Sequence, residues 1–244
     1  MCRIRISALG FVAAFCLYAQ GPPLQFEVAS ISPSAPGSAL GTIRPAPGRQ
    51  RYVGTNVSLK LMMTVAYRVN YQQISGPAWI SDDLFNVNAR AEKPSSIEEL
   101  HTMLQNMVAE RFRLRIHTEM KTRPVYVLSA DKSGIKMKPS RTESDPLVSQ
   151  PAQWTLAARS TPMNYFSWLL GLFVDRPIID RTGLKDAYDF TLNWNPDLSA
   201  DTSADNSAPG LVEALKKDLG LRLEAQNGPL EILVIDHAER PDPN

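Results

Sequence analysis

The side chains in this sequence that could do chemistry are its histidines and carboxylates. Three histidines occur, His101, His117 and His237, and none belongs to a His-x-x-x-His or Glu-x-x-His pattern, which places two metal ligands on one helix face. The residue patterns place His101 on the polar side of a helix, His117 on the wet face of a strand and His237 at a strand end. Solvent-exposed or edge positions are therefore expected for all three, and neither a metal site nor a cofactor is predicted.

The serine patterns do not predict a nucleophile. Asp236-His237 is half of a catalytic relay, but the sequence holds no Gly-x-Ser-x-Gly elbow to complete it. Ser133-Gly134-Ile135-Lys136 fits the Ser-x-x-Lys pattern of penicillin-recognising enzymes, yet it lies in a polar stretch and no Lys-Thr-Gly follows. This stretch is therefore predicted to be a β-turn, and no catalytic residue is predicted.

Carboxylates cluster in the second part of the sequence. Two of Asp175, Asp180, Asp186 and Asp189 could come together for acid–base hydrolysis of a glycan. Asp180-Arg181-Thr182-Gly183 is more simply a turn, in which Asp180 accepts hydrogen bonds from backbone N–H groups and Gly183 takes a positive φ. The turn is the favoured interpretation, and a carboxylate site using Asp180 or Asp189 stays as the alternative.

An acidic loop could also be considered for cation binding. Asp197, Asp201 and Asp205 recur every four residues. Calcium loops instead alternate their ligands at every second position around a glycine, and such a glycine is missing here. A solvated, low-complexity loop is therefore expected.

A row of basic residues is the remaining charged pattern. Arg111, Arg113, Arg115 and His117 are predicted to share one face of a strand, where they could contact a nucleic acid or an anionic glycan. The aromatic residues that alternate with cations in single-strand binders are missing, so nucleic-acid binding is not predicted. The four tryptophans are expected in core or edge packing rather than as a sugar platform; they are Trp79, Trp154, Trp168 and Trp194.

The N-terminal residues are typical of a secretory signal peptide. Arg3 and Arg5 give a positively charged start, residues 6–18 form an apolar run too short to span a bilayer, and Ala19 is a small residue suited to cleavage. Polar, proline-bearing sequence follows at once, which favours cleavage over the alternative of a retained N-terminal anchor.

Both cysteines, Cys2 and Cys16, lie in this leader, so the mature chain is predicted to have no disulfide and no thiolate site. A lipid-attachment signal at Cys16 is disfavoured by the bulky Phe15 before it. Without the leader, 24 basic and 25 acidic residues remain, a net charge of −1 that favours neither a polyanion partner nor an electrostatic membrane anchor. The apolar run at residues 166–174 is short enough to be a core helix, so no transmembrane segment is expected after signal cleavage.

One order of elements occurs twice along the chain: strand, helix, strand, strand, helix, strand, strand. It covers about residues 51–131 and again about residues 153–239. In the first copy, Ser95 and Ser96 each precede a glutamate by three residues, the capping-box signature of a helix start. Residues 111–119 and 125–128 are its predicted last strands. Residues 32–48 before it are predicted to be an extended loop.

In the second copy, Thr161 is predicted to cap a helix with Pro162 at its first position, and Gly220 to end the last helix. Residues 221–225 and 231–237 are its predicted last strands.

Two stretches near the ends of the copies match at a common offset. Residues 112–116 match 219–223 and residues 125–128 match 232–235, each 107 positions apart. The sequence therefore predicts an α+β fold of two similar βαββαββ units, each a small mixed sheet with two helices on one face. The predicted boundaries are a signal peptide at 1–19, a first repeat with an N-terminal strand and loop at 20–131, a connector at 132–152 and a second repeat at 153–244. Chance similarity of two ordinary α+β segments is the alternative.

Short motifs in order along the mature chain resemble those of a known family. They are Phe26-Glu27-Val28-Ala29-Ser30, Ile74-Ser75-Gly76-Pro77-Ala78-Trp79, Ala109-Glu110-Arg111-Phe112, Pro124-Val125-Tyr126, Asp180-Arg181-Thr182-Gly183-Leu184, Tyr188-Asp189-Phe190-Thr191-Leu192 and Val234-Ile235-Asp236. With these motifs the chain resembles the soil-associated secreted proteins that carry a domain of unknown function numbered 3738, a resemblance that implies no particular activity. Each repeat is also similar in shape to the small N-terminal domains of secretins and TonB-dependent receptors, periplasmic modules that contact other proteins. A likeness of shape does not determine function.

The leading functional hypothesis is an exported, non-catalytic envelope module, periplasmic or secreted, that binds a protein partner or serves as a scaffold. The duplication, the export signal and the missing catalytic set support it, and an exposed sheet edge is the expected binding surface. The alternative is an envelope hydrolase or small-ligand binder with a carboxylate site between the repeats. A sensor or accessory domain for an envelope protease or receptor is a third hypothesis. The partner's identity and the oligomeric state stay open.

Overall fold

The computed structural model describes residues 23–142, 144–195 and 209–242. The strands are β1 (Val28–Pro33), β2 (Thr42–Pro45), β3 (Arg51–Ser58), β4 (Ile74–Ser75), β5 (Leu84–Arg90), β6 (Arg115–Ala130), β7 (Lys138–Pro139), β8 (Leu147–Ala152), β9 (Thr155–Pro162), β10 (Ile178–Asp180), β11 (Ala187–Asn193) and β12 (Leu221–His237). The α-helices are α1 (Leu59–Ala66), α2 (Trp79–Asp82), α3 (Ile97–Arg111), α4 (Met163–Leu170) and α5 (Leu211–Ala214), the last continued by a π-helical turn, Leu215–Leu219. The predicted signal peptide and the acidic loop with Asp197, Asp201 and Asp205 lie outside the described residues.

The fold is a mixed α/β structure in which strands predominate and form three four-stranded sheets. The first outer sheet has the strand order β1-β5-β3-β2 and the second outer sheet has the order β7-β11-β9-β8, and both are antiparallel. The central sheet has the order β10-β6-β12-β4 and contains both parallel and antiparallel pairs. Of the three, only this central sheet is mixed, and it is built from strands of both halves of the chain, here called the first half (23–131) and the second half (132–242).

A long two-stranded ribbon runs through the middle of the molecule. The 16-residue β6 and the 17-residue β12 pair antiparallel from Arg115↔His237 to Ala130↔Leu221. The sequence predicted two separate strands in each place, and that prediction was wrong. Residues 122–124 of β6 and 224–227 of β12 are exposed on both faces, so the alternation of apolar and polar residues that marks a strand is lost there although the pairing continues.

Local signals explain where the helices begin. The predicted capping box of α3 is confirmed: Ser96 Oγ accepts from Glu99 N at 3.1 Å and Glu99 Oε2 accepts from Ser96 N at 2.7 Å. The start of α4 was predicted one residue early, because Pro162 is its N-cap and the helix begins at Met163. Thr161 does not cap it, since its hydroxyl donates instead to the carbonyl of Arg159 at 3.0 Å.

Each half has its own hydrophobic core. The first core lies between the first outer sheet and helices α1 and α3, and includes Tyr52, Leu104 and Phe112. The second core lies between the second outer sheet and helices α4 and α5, and includes Phe166 and Leu192. The central ribbon contributes to both, which ties the halves together.

The two outer sheets share a detail of backbone geometry. In the first, the β3–β5 register shifts after Gly54↔Val87, and in the second, the β9–β11 register shifts after Ala158↔Phe190. Each resulting bulge holds a non-glycine residue with positive φ, Asn56 at 52° and Ser160 at 47°. The N–H of Asn56 donates to Asn86 Oδ1 at 3.1 Å and the N–H of Ser160 donates to Asp189 Oδ1 at 2.8 Å, so each bulge is held by a side chain of the neighbouring strand.

Two segments predicted as a connector and an extended loop contain short strands. Residues 132–152 hold β7 and β8, and residues 32–48 hold β2. All three are edge strands with a proline, and proline together with short strand length weakens the sequence signal for a strand.

Gly220 offers a test of how the last helix is joined to β12. As predicted, Gly220 ends the helix, with φ of 67°, and a Cβ there would lie 2.0 Å from the carbonyl oxygen of Gly134. We expect Gly220→Ala to lower the free energy of unfolding by about 3 kcal/mol, the sum of left-handed strain and overpacking. Gly134→Ala is the matched control, because Gly134 has φ of 87° but nothing within 4 Å of its added Cβ, and about 1 kcal/mol is expected. Equal losses of unfolding free energy in the two variants, measured by urea unfolding, would contradict this account.

Candidate functional site

The two halves meet at a buried polar and aromatic cluster, here called the junction cluster: Tyr52, Arg68, His101, Tyr165 and Trp168. His101 was predicted to be exposed, and that prediction was wrong: the residue is 4 % exposed. Its covering comes from the second half, because Trp168 of α4 contacts the imidazole edge to face with ring centroids 6.4 Å apart. A single helix pattern cannot reveal a partner surface that comes from so far along the chain.

Hydrogen bonds in the junction cluster determine the state of His101. Arg68 Nε donates to His101 Nδ1 at 3.0 Å, so the neutral ring carries its proton on Nε2. Burial and the neighbouring Arg68 guanidinium lower the pKa of His101 to about 4. Arg68 in turn forms an ion pair with Glu98 and lies over the Tyr165 ring at 5.7 Å. His101 is therefore a neutral acceptor within a packed interface.

A cavity of about 360 Å³ opens beside the junction cluster. Arg68, Asn70 and Glu231 line it, together with Ser167 and Trp168. Ser167 is 2 % exposed, and its buried hydroxyl has no hydrogen-bond partner among the described residues. Trp168 Nε1 donates to the carbonyl of Val69 at 3.3 Å, so the indole is held against the other half and not presented to the cavity as a platform.

Three of the candidate carboxylates, Asp175, Asp180 and Asp189, each have a separate structural partner. Asp180 Oδ1 accepts from the N–H and the hydroxyl of Thr182 at 2.9 and 2.7 Å, and Gly183 has φ of 70°, so the predicted turn is confirmed. Asp189 holds the β9 bulge through Ser160, and Asp175 accepts from the Tyr126 hydroxyl at 3.1 Å. These carboxylates stabilise backbone and side-chain positions and lie on separate elements.

The Ser-x-x-Lys residues have structural contacts, as the predicted turn implies. The Ser133 hydroxyl and N–H both donate to Asp131 Oδ1, and Gly134 has φ of 87°. Lys136 Nζ donates to the carbonyls of Lys216 and Lys217 and so caps the end of the π-helical turn.

The other two histidines lie on the surface, as expected. His117 Nδ1 lies 2.8 Å from Asp236 Oδ1, and this contact, together with Glu119, raises the pKa of His117. His237 pairs with Glu239 at 2.8 Å and does not contact a nucleophile. No group of three or more His, Cys, Asp or Glu side chains suited to a metal ion occurs within residues 23–142, 144–195 and 209–242.

The predicted basic face is not formed. Helix α3 continues to Arg111, Arg113 then takes a left-handed conformation with φ of 46°, and only Arg115 and His117 lie in β6. Arg111 donates to the carbonyl of Ala29 at 3.1 Å and Arg113 pairs with Glu239. The reason is the helix cap, which turns the chain between these residues.

The tryptophans take part in packing, as expected. Trp154 and Trp194 contact each other edge to face at 6.0 Å in the second half, and Trp79 stacks on Phe112 in the first. No helix within the described part of the chain has the length and apolar character needed to cross a membrane.

The second outer sheet has an open edge that sequence reasoning missed. In the first outer sheet β1 pairs with six residues of β5, whereas in the second β7 pairs only with Tyr188 and Asp189 of β11. Trp194 N donates towards β9, so by strand alternation the backbone groups of Thr191 and Asn193 point to the opposite side. Among the described residues, no strand pairs with β11 at Thr191 or Asn193 on that side.

This edge borders a groove of about 540 Å³, here called the β11 groove. Its lining includes Lys136, Lys138 and Arg159 as well as Thr191 and Leu147, whose side chain is more than half exposed. Lys136 occupies the position where a paired strand would bond Thr191, but its N–H donates to the carbonyl of Leu219 at 3.0 Å. The chain before β7 thus bends towards the helix end, and no described residue pairs with β11 at Thr191 or Asn193 on this side.

Proline occurs in every edge strand of the two outer sheets. Each of the four edge strands of the outer sheets contains one, namely Pro33, Pro45, Pro139 and Pro151. Proline cannot donate to an added strand, and this is a common protection against unwanted pairing. The stretch 190–193 of β11, Phe-Thr-Leu-Asn, has neither proline nor charge. The distribution of prolines along the sequence was the available signal for this site.

The fold and these contacts define, for the described residues, a mixed α/β protein with a packed junction and a strand edge at β11 that has no paired strand at Thr191 and Asn193. Residues 60–238 match the model of the family described as protein of unknown function DUF3738, and the chain belongs to this family. No curated protein and no solved structure matches the chain.

The junction cluster predicts a pH dependence of stability. Because the folded-state pKa of His101 is about 4 and its unfolded value about 6.5, its contribution is complete above pH 6.5 and is lost as the pH falls towards 4. The difference corresponds to roughly 3 kcal/mol at most. We expect the loss of unfolding free energy between pH 6.5 and 4 to be smaller in His101→Gln, measured by urea unfolding across this range.

His117→Gln is the matched control. The pKa of exposed His117 is raised, so its contribution is complete below its unfolded value and is lost only as the pH rises through the folded one. The loss of unfolding free energy between pH 6.5 and 4 should therefore be unchanged in this variant. If His101→Gln and the native protein lose the same unfolding free energy between pH 6.5 and 4, the role given to His101 is refuted.

Proposed function

We propose that this protein is a non-catalytic binding module that holds an extended segment of a partner polypeptide at the open edge of β11. The backbone of Thr191 and Asn193 beside the β11 groove, with which no described strand pairs on this side, carries this proposal. Strand addition takes its affinity from main-chain hydrogen bonds and its specificity from the side chains around them. The carboxylates considered for hydrolysis make structural hydrogen bonds, which favours binding over catalysis.

The module consists of two similar α+β units that arose by duplication. The strand orders of the outer sheets, the matching bulges at Asn56 and Ser160, and the left-handed helix ends at Arg113 and Gly220 support this. Arg113 and Gly220 are 107 positions apart, the same offset as between the two pairs of matching sequence stretches. By the same correspondence, β7 is the counterpart of the end of β1 at Ser32 and Pro33. The open part of β11 then corresponds to the part of β5 that the rest of β1 covers.

The site of action is the cell envelope, periplasmic or secreted. This part of the proposal rests on the leader, with Arg3 and Arg5 before the apolar run 6–18 and Ala19 after it. The partner is accordingly an envelope polypeptide.

A small-ligand binder is the second candidate function. The cavity beside the junction cluster favours it, because the buried Ser167 hydroxyl lacks a partner and would gain one from a polar ligand. A ligand there would contact both units and raise the melting temperature, an effect that Ser167→Ala would reduce.

The open edge can be tested first through stability alone. Thr191 and Asn88 occupy corresponding positions, but the N–H of Asn88 points to β1, where Asn88 pairs with Ser30. Asn88→Pro removes a sheet hydrogen bond that Thr191→Pro does not. We expect Asn88→Pro to reduce the free energy of unfolding by about 1–2 kcal/mol more than Thr191→Pro does. A larger loss for Thr191→Pro would show that the β11 edge is already paired.

Binding is tested by photo-crosslinking in cells that export the protein. A benzophenone amino acid at Leu147, in the β11 groove, should give an adduct with a partner polypeptide, and Thr191→Pro in the same chain should abolish it. The same crosslinker at Val53, which is 40 % exposed on β3 and outside the groove, is the control. The proposal fails if the Leu147 adduct survives Thr191→Pro or is matched at Val53.

A further inference from the structure

We infer that the outward face of the first outer sheet docks on the surface of an anionic phospholipid bilayer. Docking there is independent of strand addition at β11, because β11 belongs to the second outer sheet. The inward face of the first outer sheet covers the first core, whereas alternate residues of its strands point to solvent. The part of the outward face that would meet the bilayer, here called the arginine face, consists of Val28, Ser30, Arg44, Arg51, Val53, Asn88 and Arg90.

Strand pairing arranges the arginine face in two adjacent rows across the sheet. The first row, across β1, β5 and β3, is Val28, Arg90 and Arg51. The second row, across β1, β5, β3 and β2, is Ser30, Asn88, Val53 and Arg44. Arg51 therefore has Arg90 directly opposite and Arg44 diagonally opposite. Because diagonal neighbours on a sheet are about 7–8 Å apart, these long side chains reach the same region of the surface.

Arg51 and Arg90 form a directly opposed pair of like charges. The N–H of Ala91 donates to the carbonyl of Gln50 at 2.8 Å, so the residues before Ala91 and after Gln50 form a pair without backbone hydrogen bonds. Side chains are closest in pairs of this type. Like charges in directly opposite positions destabilise a sheet, so the pair opposes folding. A negatively charged surface over the pair would remove this repulsion.

The positive charge of the arginine face is only partly balanced, although the mature chain is nearly neutral. Arg90 forms an ion pair with Glu27 at 2.8 Å. Neither Arg44 nor Arg51 has an ion pair among the described residues, and the other residues of the two rows are uncharged. The neighbouring Glu92-Lys93 carries both signs and does not change the balance. Charge complementarity therefore points to an anionic partner.

Two exposed valines favour a bilayer over a soluble polyanion as this partner. Val28 is 57 % exposed and Val53 is 40 % exposed, and each lies in a row with an arginine. On a bilayer, apolar side chains leave water at the boundary between headgroups and acyl chains while basic side chains attract lipid phosphates, and both effects strengthen binding. A soluble polyanion would attract the arginines but leave the valines in water.

Docking is tested by co-sedimentation of the mature chain with lipid vesicles at low ionic strength. Vesicles of mixed phosphatidylcholine and phosphatidylglycerol should retain the protein, and vesicles of phosphatidylcholine alone should not. Arg51→Gln should lower the partition coefficient for the mixed vesicles about fivefold, the contribution of one basic residue near an anionic surface. Arg123→Gln is the matched control, because Arg123 is exposed on β6 and has no ion pair among the described residues. A change of less than about twofold is expected there.

The stability of Arg51→Gln separates docking from a structural role. The substitution removes a like-charge repulsion, so the urea midpoint should be equal to or higher than that of the native protein. Weaker vesicle binding with unimpaired stability assigns Arg51 to the docking surface. A lower midpoint would contradict the opposed pair of arginines.

A fluorescent label distinguishes a bilayer from a soluble polyanion. Because both cysteines lie in the predicted leader, Val53→Cys gives the mature chain a single site for a nitrobenzoxadiazole dye. The dye emission should shift to the blue when mixed vesicles are added, since this side chain leaves water on docking. The same dye on Val212→Cys is the control, because Val212 is 42 % exposed on α5, and no shift is expected.

Three outcomes would each refute bilayer docking. The first is that mixed vesicles retain no more protein than phosphatidylcholine vesicles do. The second is that Arg51→Gln and Arg123→Gln bind equally well. The third is that the label at position 53 does not shift, or shifts no more than the label at position 212. The proposed binding at β11 stands under any of them, because it uses a different sheet.

Discussion

The antiparallel pairing of β6 with β12 is the interaction on which both halves depend. β4 of the first half pairs with β12, and β10 of the second half pairs with β6, so each half completes the sheet of the other. The cores are linked in the same way: Ile235 of β12 packs on the first core and Leu128 of β6 lies in the second. Neither half contains a complete set of buried contacts, which is why the sequence picture of two self-contained small sheets does not hold.

Against this common framework the two halves differ at one edge. In the first half β1 covers β5 and Ile31 enters the core. In the second, the chain leaving β6 turns at Gly134, and Lys136 caps the end of the π-helical turn, so it is drawn away from β11. Helix capping and strand pairing compete for the same few residues there, and capping prevails. The local sequence between β6 and β7 thus produces the asymmetry.

The features that sequence could predict are those with local causes. The capping box at Ser96, the glycine end at Gly220 and the Asp180 turn each depend on residues within a few positions of one another. The burial of His101 and the pairing across the middle of the ribbon depend on contacts made far along the chain. A helix or strand pattern carries no information about such contacts. The strand edge at Thr191 could not be predicted from the sequence for a third reason. It depends on β7 pairing with only two residues of β11.

The ribbon also determines when this chain can fold. Its paired residues are about 90 to 120 positions apart, and β12 is the last strand. Loop closure over that length is slow, and both cores need residues of β12: Ile235 packs on the first, and Leu221 and Leu223 lie in the second. A nascent chain therefore stays open on the ribosome until almost all of it has been synthesised.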